Sequence, residues 1–220
     1  MLKILFQLFI FTLPFICFTQ NIKKSFEGII TYKIEVAIIK DTEYNEYYKQ
    51  KYGDTLVTYI SGNGDYKRVY KNSGEMGFDF VSYSKRNNEL YAKWKNIDTV
   101  YHYSALNNSI TNFSIKQSDT MNILGYQCQS IIVEGVDPIG NQRVKTKYYY
   151  AKEPYLDASL YKDYNDFYYN KIVAIMKSQY LKMVMDLEDI IVTFEVIEII
   201  PKELKNNVFF ISKKTPKKEF

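Results

Sequence analysis

The chain has 220 residues, with 29 Lys plus Arg against 25 Asp plus Glu, one His, two Cys, 22 Tyr and 14 Phe. Its 46% apolar and 25% charged residues are close to the average of globular proteins, which excludes an intrinsically disordered chain, a collagen-like repeat and a polytopic membrane protein. A formal net charge of +4 is too small to indicate nucleic-acid binding. We therefore expect one folded domain that forms its core without disulfides.

The first twenty residues have the pattern of an export signal. Lys3 precedes an apolar run that is shorter than the roughly 20 residues of a membrane-spanning helix. This predicts a signal peptide over residues 1–19 and an exported protein, with a retained membrane anchor as the alternative. The two residues before Cys17 are bulky, whereas lipoprotein processing requires small side chains there, so we expect no lipid on this cysteine.

The mature chain contains little that could support catalysis. Cys128 is its one cysteine, which excludes an intramolecular disulfide and a cysteine-based metal site, and we expect this side chain to be buried. The single imidazole, His102, lies in a predicted strand, and no nucleophile, zinc or phosphate-loop motif is present. We predict no enzyme, catalytic residue, cofactor or metal site. A hydrolase built on two carboxylates is the remaining alternative, because sequence spacing does not show which acids meet.

Strand patterns dominate the first half of the chain. Alternating apolar residues predict a long strand after Phe26, and Tyr residues at helical spacing between Asp41 and Tyr52 predict a short amphipathic helix. A turn from Gly62 to Asp65 joins two further strands into a hairpin. The next predicted strands cover Phe78 to Ser84, Leu90 to Lys95 and Thr99 to Ser104.

The second half continues with strands after a polar stretch from Ser109 to Thr120 that alternates only weakly. The segment from Glu153 to Asn170 predicts a short helix or an ordered loop, because it contains Pro154 and its apolar residues follow no strict period. Asp186, Glu188 and Asp189 occupy a predicted hairpin turn. The remaining predicted strands are Tyr126 to Glu134, Arg143 to Tyr150, Lys171 to Lys177, Tyr180 to Asp186 and Ile190 to Ile200.

About ten strands joined mostly by hairpins predict a mainly β (α+β) fold with a single curved antiparallel sheet. We expect an open half-barrel with one or two short helices against its concave face, and a closed lipocalin-like barrel is the alternative. The amphipathic helix favours the open form, because its apolar face must pack against a sheet. The domain is predicted to span residues 20–212, followed by a basic flexible tail over residues 213–220.

Four segments occur in order along the chain: FEGIITYKIEV, YISGNGDYKRVY, DTMNILGYQCQSIIVEG and KYYYAKEP. Together they resemble the GLPGLI family and related uncharacterised exported envelope proteins of Gram-negative bacteria, whose sheet is similar to the LolA/LolB-type lipoprotein-carrier fold. The most specific piece runs from Ile123 to Cys128, a turn that leads into a strand. The resemblance implies a half-barrel in the periplasm or at the outer membrane, and it implies no catalytic residues.

An open sheet leaves an apolar inner face that helices or a bound guest must cover. We therefore expect a non-enzymatic protein that binds a lipid, an acyl chain, a lipoprotein or another amphipathic ligand in its concave face. The alternative is a structural module of an envelope complex that binds protein or glycan through surface Tyr, and peripheral contact with a membrane is compatible with either. The candidate lining residues lie on apolar faces of predicted strands: Tyr32, Ile34, Val36, Phe78, Phe80 and Trp94.

Overall fold

The structure is a computed structural model, and it describes residues 23–138 and 141–220, so the predicted signal peptide lies outside the described residues. The strands are β1 (Gly28–Ile38), β2 (Thr55–Ile60), β3 (Tyr66–Lys71), β4 (Phe78–Ser84), β5 (Glu89–Trp94), β6 (Val100–Ser104), β7 (Thr111–Ile123), β8 (Tyr126–Asp137), β9 (Gln142–Tyr155), β10 (Ser178–Asp186), β11 (Ile190–Pro201) and β12 (Lys217–Glu219). The two α-helices are α1 (Asn45–Tyr52) and α2 (Tyr169–Met176). No helix of the described residues is long and apolar enough to cross a membrane.

All twelve strands belong to one sheet with the order β12-β6-β5-β4-β3-β2-β1-β11-β10-β9-β8-β7. Every pairing is antiparallel except that of β12 with β6. Strands β2 to β6 extend from one side of β1, and β11 to β7 extend from the other in reverse order. The end strands β12 and β7 do not pair, so the sheet is open and the mainly β prediction is confirmed.

The sheet curls strongly, and the chain length between β6 and β7 shows it. Residues 105–110 join these two strands, which are ten steps apart in the sheet order. Ten steps of about 4.8 Å would separate them by roughly 48 Å in a flat sheet, whereas the short connection reaches at most roughly 25 Å. The two ends of the sheet therefore approach each other without pairing, which is the open half-barrel geometry.

The concave face holds the core. In register across neighbouring strands, Ile30 lies opposite Thr58, Thr58 opposite Arg68, and Arg68 opposite Val81. Tyr52 at the end of α1 packs against Phe78 and Phe194, with ring centroids 6.1 and 6.0 Å apart. The connection between β9 and β10, residues 156–177, also lies against this face and buries Leu156, Tyr161, Tyr164, Ile172, Val173 and Met176. Both helices thus pack on the concave side.

Three segments differ from the sequence-based expectations. Lys171 to Lys177 was expected to be a strand because of its β-branched residues, but α2 forms there, since Ile172, Val173 and Met176 bury one helical stripe. The polar stretch after Ser109 forms β7, an edge strand with few buried residues and register shifts that weaken its alternation. The basic tail was expected to be flexible, but Lys217–Glu219 pairs with β6 as β12.

The tail is held by its last residue. The Phe220 ring lies 5.7 Å from that of Tyr101 and 6.4 Å from that of Trp94, and its backbone N–H donates to the carbonyl of His102. The four lysines of this segment favour a solvated chain, so they do not account for its pairing with β6. The packing of the Phe220 ring supplies the apolar contact that holds the segment on the sheet.

Candidate functional site

A cavity of about 450 Å³ lies on the concave face between the two halves of the curled sheet. This volume is within the range of small-molecule binding sites. Strands β3 to β6 supply one wall and β9 and β10 supply the opposite wall, while α1 and the β9–β10 connection close the remaining sides. The apolar lining consists of Val81, Leu90, Val144, Phe167, Met183, Met185 and Leu187.

Tyrosine forms most of the remaining lining. Tyr83 and Tyr164 stack with centroids 4.5 Å apart, and Tyr169 packs against Tyr164 at 4.6 Å. The hydroxyl oxygens of Tyr66 and Tyr164 are 2.7 Å apart, so one of them donates to the other and the second keeps a free O–H. The cavity-lining tyrosines are Tyr48, Tyr52, Tyr66, Tyr103, Tyr148, Tyr164, Tyr169 and Tyr180. These rings give the cavity apolar walls with hydroxyl groups at fixed points.

The cavity opens at a rim of exposed residues. Tyr103, Gln142 and Phe167 line the cavity and are exposed, and Phe167 keeps 46% of its surface in solvent. Phe167 has a left-handed backbone with φ of 49°, which places this large apolar side chain at the opening. A guest that enters here meets the exposed Phe167 ring beside the polar groups of Tyr103 and Gln142.

Arg68 is the most unusual residue of the cavity wall. Register pairing on β3 places it on the concave face between Thr58 and Val81, and its guanidinium carbon lies 4.7 Å from the ring centroid of Tyr66 and 5.9 Å from that of Tyr180. Part of its surface faces the cavity. Within residues 23–138 and 141–220, the guanidinium makes no hydrogen bond and no ion pair, and its Nε atom is buried without an acceptor.

Two more polar atoms near Arg68 also lack hydrogen-bond partners. The Thr58 Oγ1 atom, directly opposite Arg68 in register, and the Tyr180 Oη atom are buried without partners in the part of the chain that the structure describes. Buried polar groups are normally satisfied, and each exception costs about 1 to 3 kcal/mol. Arg68 and Tyr180 face each other from opposite walls of the cavity, and Thr58 lies behind the β3 wall. Unpartnered polar atoms on two facing side chains mark a place where a polar group of a ligand fits.

The cavity lining also contains a second cation, Lys51, and two carboxyl groups, those of Asp137 and Asp166. Lys51 Nζ lies 5.4 to 5.8 Å from the ring centroids of Tyr47, Tyr52 and Phe78, and burial lowers its pKa. Burial raises the pKa of the Asp166 carboxyl to about 6, although a hydrogen bond from the Tyr103 hydroxyl at 3.2 Å partly opposes this shift. The Asp166 carboxyl therefore accepts a hydrogen bond from Tyr103 at the rim and makes no direct contact with Arg68.

The predicted lining residues of β1 lie behind the cavity. Tyr32 and Ile34 are buried in the core, and Val36 packs against it. The Tyr32 hydroxyl donates to the Tyr180 carbonyl at 2.9 Å and accepts from Gln179 Nε2 at 3.1 Å, so it supports the wall rather than facing the opening. That these side chains contact a ligand stays a prediction.

The predicted residues of β4 and β5 fall on two faces. Phe78 packs in the core beside Tyr70 and Trp94, with centroids 5.2 and 5.3 Å apart. Phe80 lies on the convex face, where Lys67 covers its ring at 4.7 Å. Simple alternation predicts that Phe78 and Phe80 share one face of the strand. The pairing of β4 with β5 shifts register between them, and the extra residue turns the side chains after it to the opposite face. None of the six predicted residues lines the cavity.

The other groups considered from the sequence occupy structural positions. Cys128 is fully buried, as predicted, and burial raises the pKa of its thiol. His102 lies on β6 with its Nδ1 atom 3.7 Å from Glu89 Oε1. No group of three His, Cys, Asp or Glu side chains among the described residues is arranged to hold a metal ion.

Another depression, of about 570 Å³, lies near the β8–β9 pair and is lined largely by polar residues that include Lys23, Thr120, Gln127, Gln129, Lys152 and Lys177. Most of these side chains are exposed and make ordinary surface contacts, such as the Lys23 pair with Glu153. The concave cavity is the better candidate site because it combines buried apolar walls with unpartnered polar atoms.

No family model matches the sequence, so the GLPGLI resemblance stays a prediction, and no curated protein matches it either. Among solved structures, the chain is similar to the crystal structure of the Mycobacterium tuberculosis lipoprotein LppX. The sequence identity is 9% and the TM-score is 0.37, and the superposition covers 81% of this chain and 89% of that chain.

Proposed function

We propose that this protein is an exported, non-enzymatic cell-envelope protein that holds a lipid, an acyl chain or another amphipathic guest in the cavity of its half-barrel. The observation that carries the proposal is the cavity of about 450 Å³ with Tyr, Met, Leu and Val in its walls and the exposed Phe167 ring at its rim. Apolar surface that remains open in the middle of an otherwise packed concavity is costly unless a guest covers it. Export rests on the predicted signal peptide over residues 1–19, and a place in the periplasm or at the outer membrane rests on the family resemblance.

The cavity suits one part of a guest better than a whole large lipid. Helix α1 and the β9–β10 connection already fill much of the concave face, so the free volume accommodates one chain or the end of one chain. The walls supply area for burial at about 25 cal/mol per Å² of apolar surface. The exposed rim at Phe167 leaves room for the remainder of a larger guest outside.

A cavity-filling variant with a matched control tests the proposal. Val81→Phe places a ring in the cavity, whereas Val69→Phe makes the same change on the convex face, where Val69 pairs with Phe80. The protein is expressed with its own signal in a Gram-negative host, purified from the envelope and analysed by native mass spectrometry with lipid extraction. We expect a co-purifying amphipathic molecule with the wild type and Val69→Phe, and its loss with a folded Val81→Phe variant.

A co-purifying molecule that Val81→Phe retains would place the site elsewhere. Unliganded protein in all three samples, with no uptake of added fatty acids or fatty alcohols, would contradict the proposal. That outcome would favour the alternative, an interaction module of an envelope complex. Pull-downs from envelope extracts, with exposed aromatic residues replaced, would then identify the partner surface.

A further inference from the structure

The unpaired guanidinium of Arg68 in the cavity wall, taken together with the proposed binding of an amphipathic guest, points to the chemistry of the guest. We propose that the guest carries an acidic head group, a carboxylate or phosphate on an acyl chain, and that Arg68 binds this head group at the cavity wall. The inference rests on the proposed function. It adds the class of ligand and the residue that selects it.

The first step is that Arg68 keeps its charge. A guanidinium does not lose its proton in proteins, so burial cannot neutralise this side chain as it does a lysine. Among the described residues, Tyr66 and Tyr180 supply aromatic rings to it, and neither of the two carboxyl residues that line the cavity, Asp137 and Asp166, forms an ion pair with it. A guanidinium that faces a cavity without a carboxylate paired to it attracts an anion, and the planar fork of Arg matches carboxylate and phosphate oxygens.

The second step is that hydrogen-bond donors surround the same point. The Tyr180 hydroxyl has no partner, and one O–H of the Tyr66 and Tyr164 pair is free to donate. Thr58, opposite Arg68 in register, lies behind the wall and does not reach the cavity. A carboxylate or phosphate accepts from several donors at once, so a single head group would satisfy the guanidinium and the neighbouring hydroxyls together.

The third step is orientation. Met183, Met185 and Leu187 on or next to β10 continue the apolar lining beyond Tyr180. A chain whose head lies at Arg68 therefore has apolar surface along its length, which a free inorganic anion would not use. This arrangement favours an amphipathic acid over a soluble phosphate.

The test compares three probes on delipidated full-length mature protein by isothermal titration calorimetry: myristate, myristyl alcohol and inorganic phosphate. We expect myristate to bind at least about tenfold more tightly than the alcohol, since a charge-assisted hydrogen bond contributes about that much. Arg68→Met should remove this preference by weakening myristate binding about tenfold or more, and it should leave alcohol binding within about twofold. Arg68→Lys should retain part of the preference, because it keeps the charge without the fork.

The outcomes separate the two proposals. Equal binding of myristate and myristyl alcohol to the wild type would overturn the acidic head group and leave the amphipathic guest intact. No binding of either would overturn the proposed function itself. Phosphate binding as tight as that of myristate would show a site for a free anion and would also overturn the inference. If Arg68→Met fails to fold, Tyr180→Phe provides the second variant, with an expected selective loss of a few-fold in myristate affinity.

Discussion

Replacing Arg68 by Met should stabilise the ligand-free protein. Met fills the volume of the Arg stem and removes the unpaired charge at this position of the cavity wall. The unpaired guanidinium has a desolvation cost of several kcal/mol when fully buried, and we take about 3 kcal/mol because part of its surface faces the cavity. The contact with the Tyr66 ring at 4.7 Å returns about 1 to 2 kcal/mol. The net change is a stabilisation of about 1 to 2 kcal/mol, which raises the Tm by roughly 2 to 8 °C for a domain of this size.

The assay is thermal and urea unfolding of delipidated protein followed by circular dichroism. The matched control is Arg86→Met, which removes an exposed arginine from the β4–β5 turn and should change stability by less than about 0.5 kcal/mol. A loss of more than about 1 kcal/mol in Arg68→Met would refute the reasoning, because it would show that the guanidinium stabilises the fold. In that case the unpartnered polar atoms around it would not indicate a ligand.

The remaining predictions concern the cavity rim, its wall and one turn. Asp166→Asn should be more stable than the wild type at pH 8 by at most roughly 3 kcal/mol, since the folded-state pKa of Asp166 is about 6 and an unfolded Asp titrates near 3.9. Between these two pKa values, folded wild type keeps a proton on Asp166 that the unfolded chain has lost. The stability difference between Asp166→Asn and the wild type should therefore grow as the pH rises from about 4 to about 6, and it should vanish below about pH 4. Urea titrations across this pH range measure it. Tyr180→Phe removes a buried hydroxyl without a partner, so unfolding of ligand-free protein should show no loss and a gain of up to about 1 kcal/mol. Gly53→Ala should lose more than about 1 kcal/mol in the same assay, because φ is 68° and the new Cβ would clash with the Lys71 carbonyl oxygen.

The strand framework could be predicted from the sequence because alternation and turn residues act locally. The hairpin at Gly62 to Asp65 and the long first strand show this, since each depends on a few neighbouring residues. α2 could not be predicted in the same way. Its sequence NKIVAIM suits a strand by propensity, and the helix is selected by burial of Ile172 and Met176 against β8 and β9, a contact between distant parts of the chain.

The site was harder to predict than the fold. Arg68 lies in the segment YKRVYK, where three cations and two tyrosines look like an ordinary exposed hairpin strand. The register of β3 with β2 and β4 places Arg68 on the concave face. The curl of the sheet brings the Tyr180 ring to 5.9 Å from its guanidinium, although their strands are four steps apart in the sheet order. One signal was available: strict alternation from Tyr66 through Tyr70 places Arg68 on the tyrosine face of the strand.

Nuclear magnetic resonance of carboxyl-labelled myristate bound to the protein tests the account most directly. If the head group lies at Arg68, its carboxyl resonance should titrate with a pKa below that of unbound fatty acid, because the guanidinium favours the ionised form. In Arg68→Met the same resonance should titrate above the unbound value, because burial without a cation favours the neutral acid. A bound carboxyl whose pKa is raised in the wild type, or is the same in both proteins, would contradict the account.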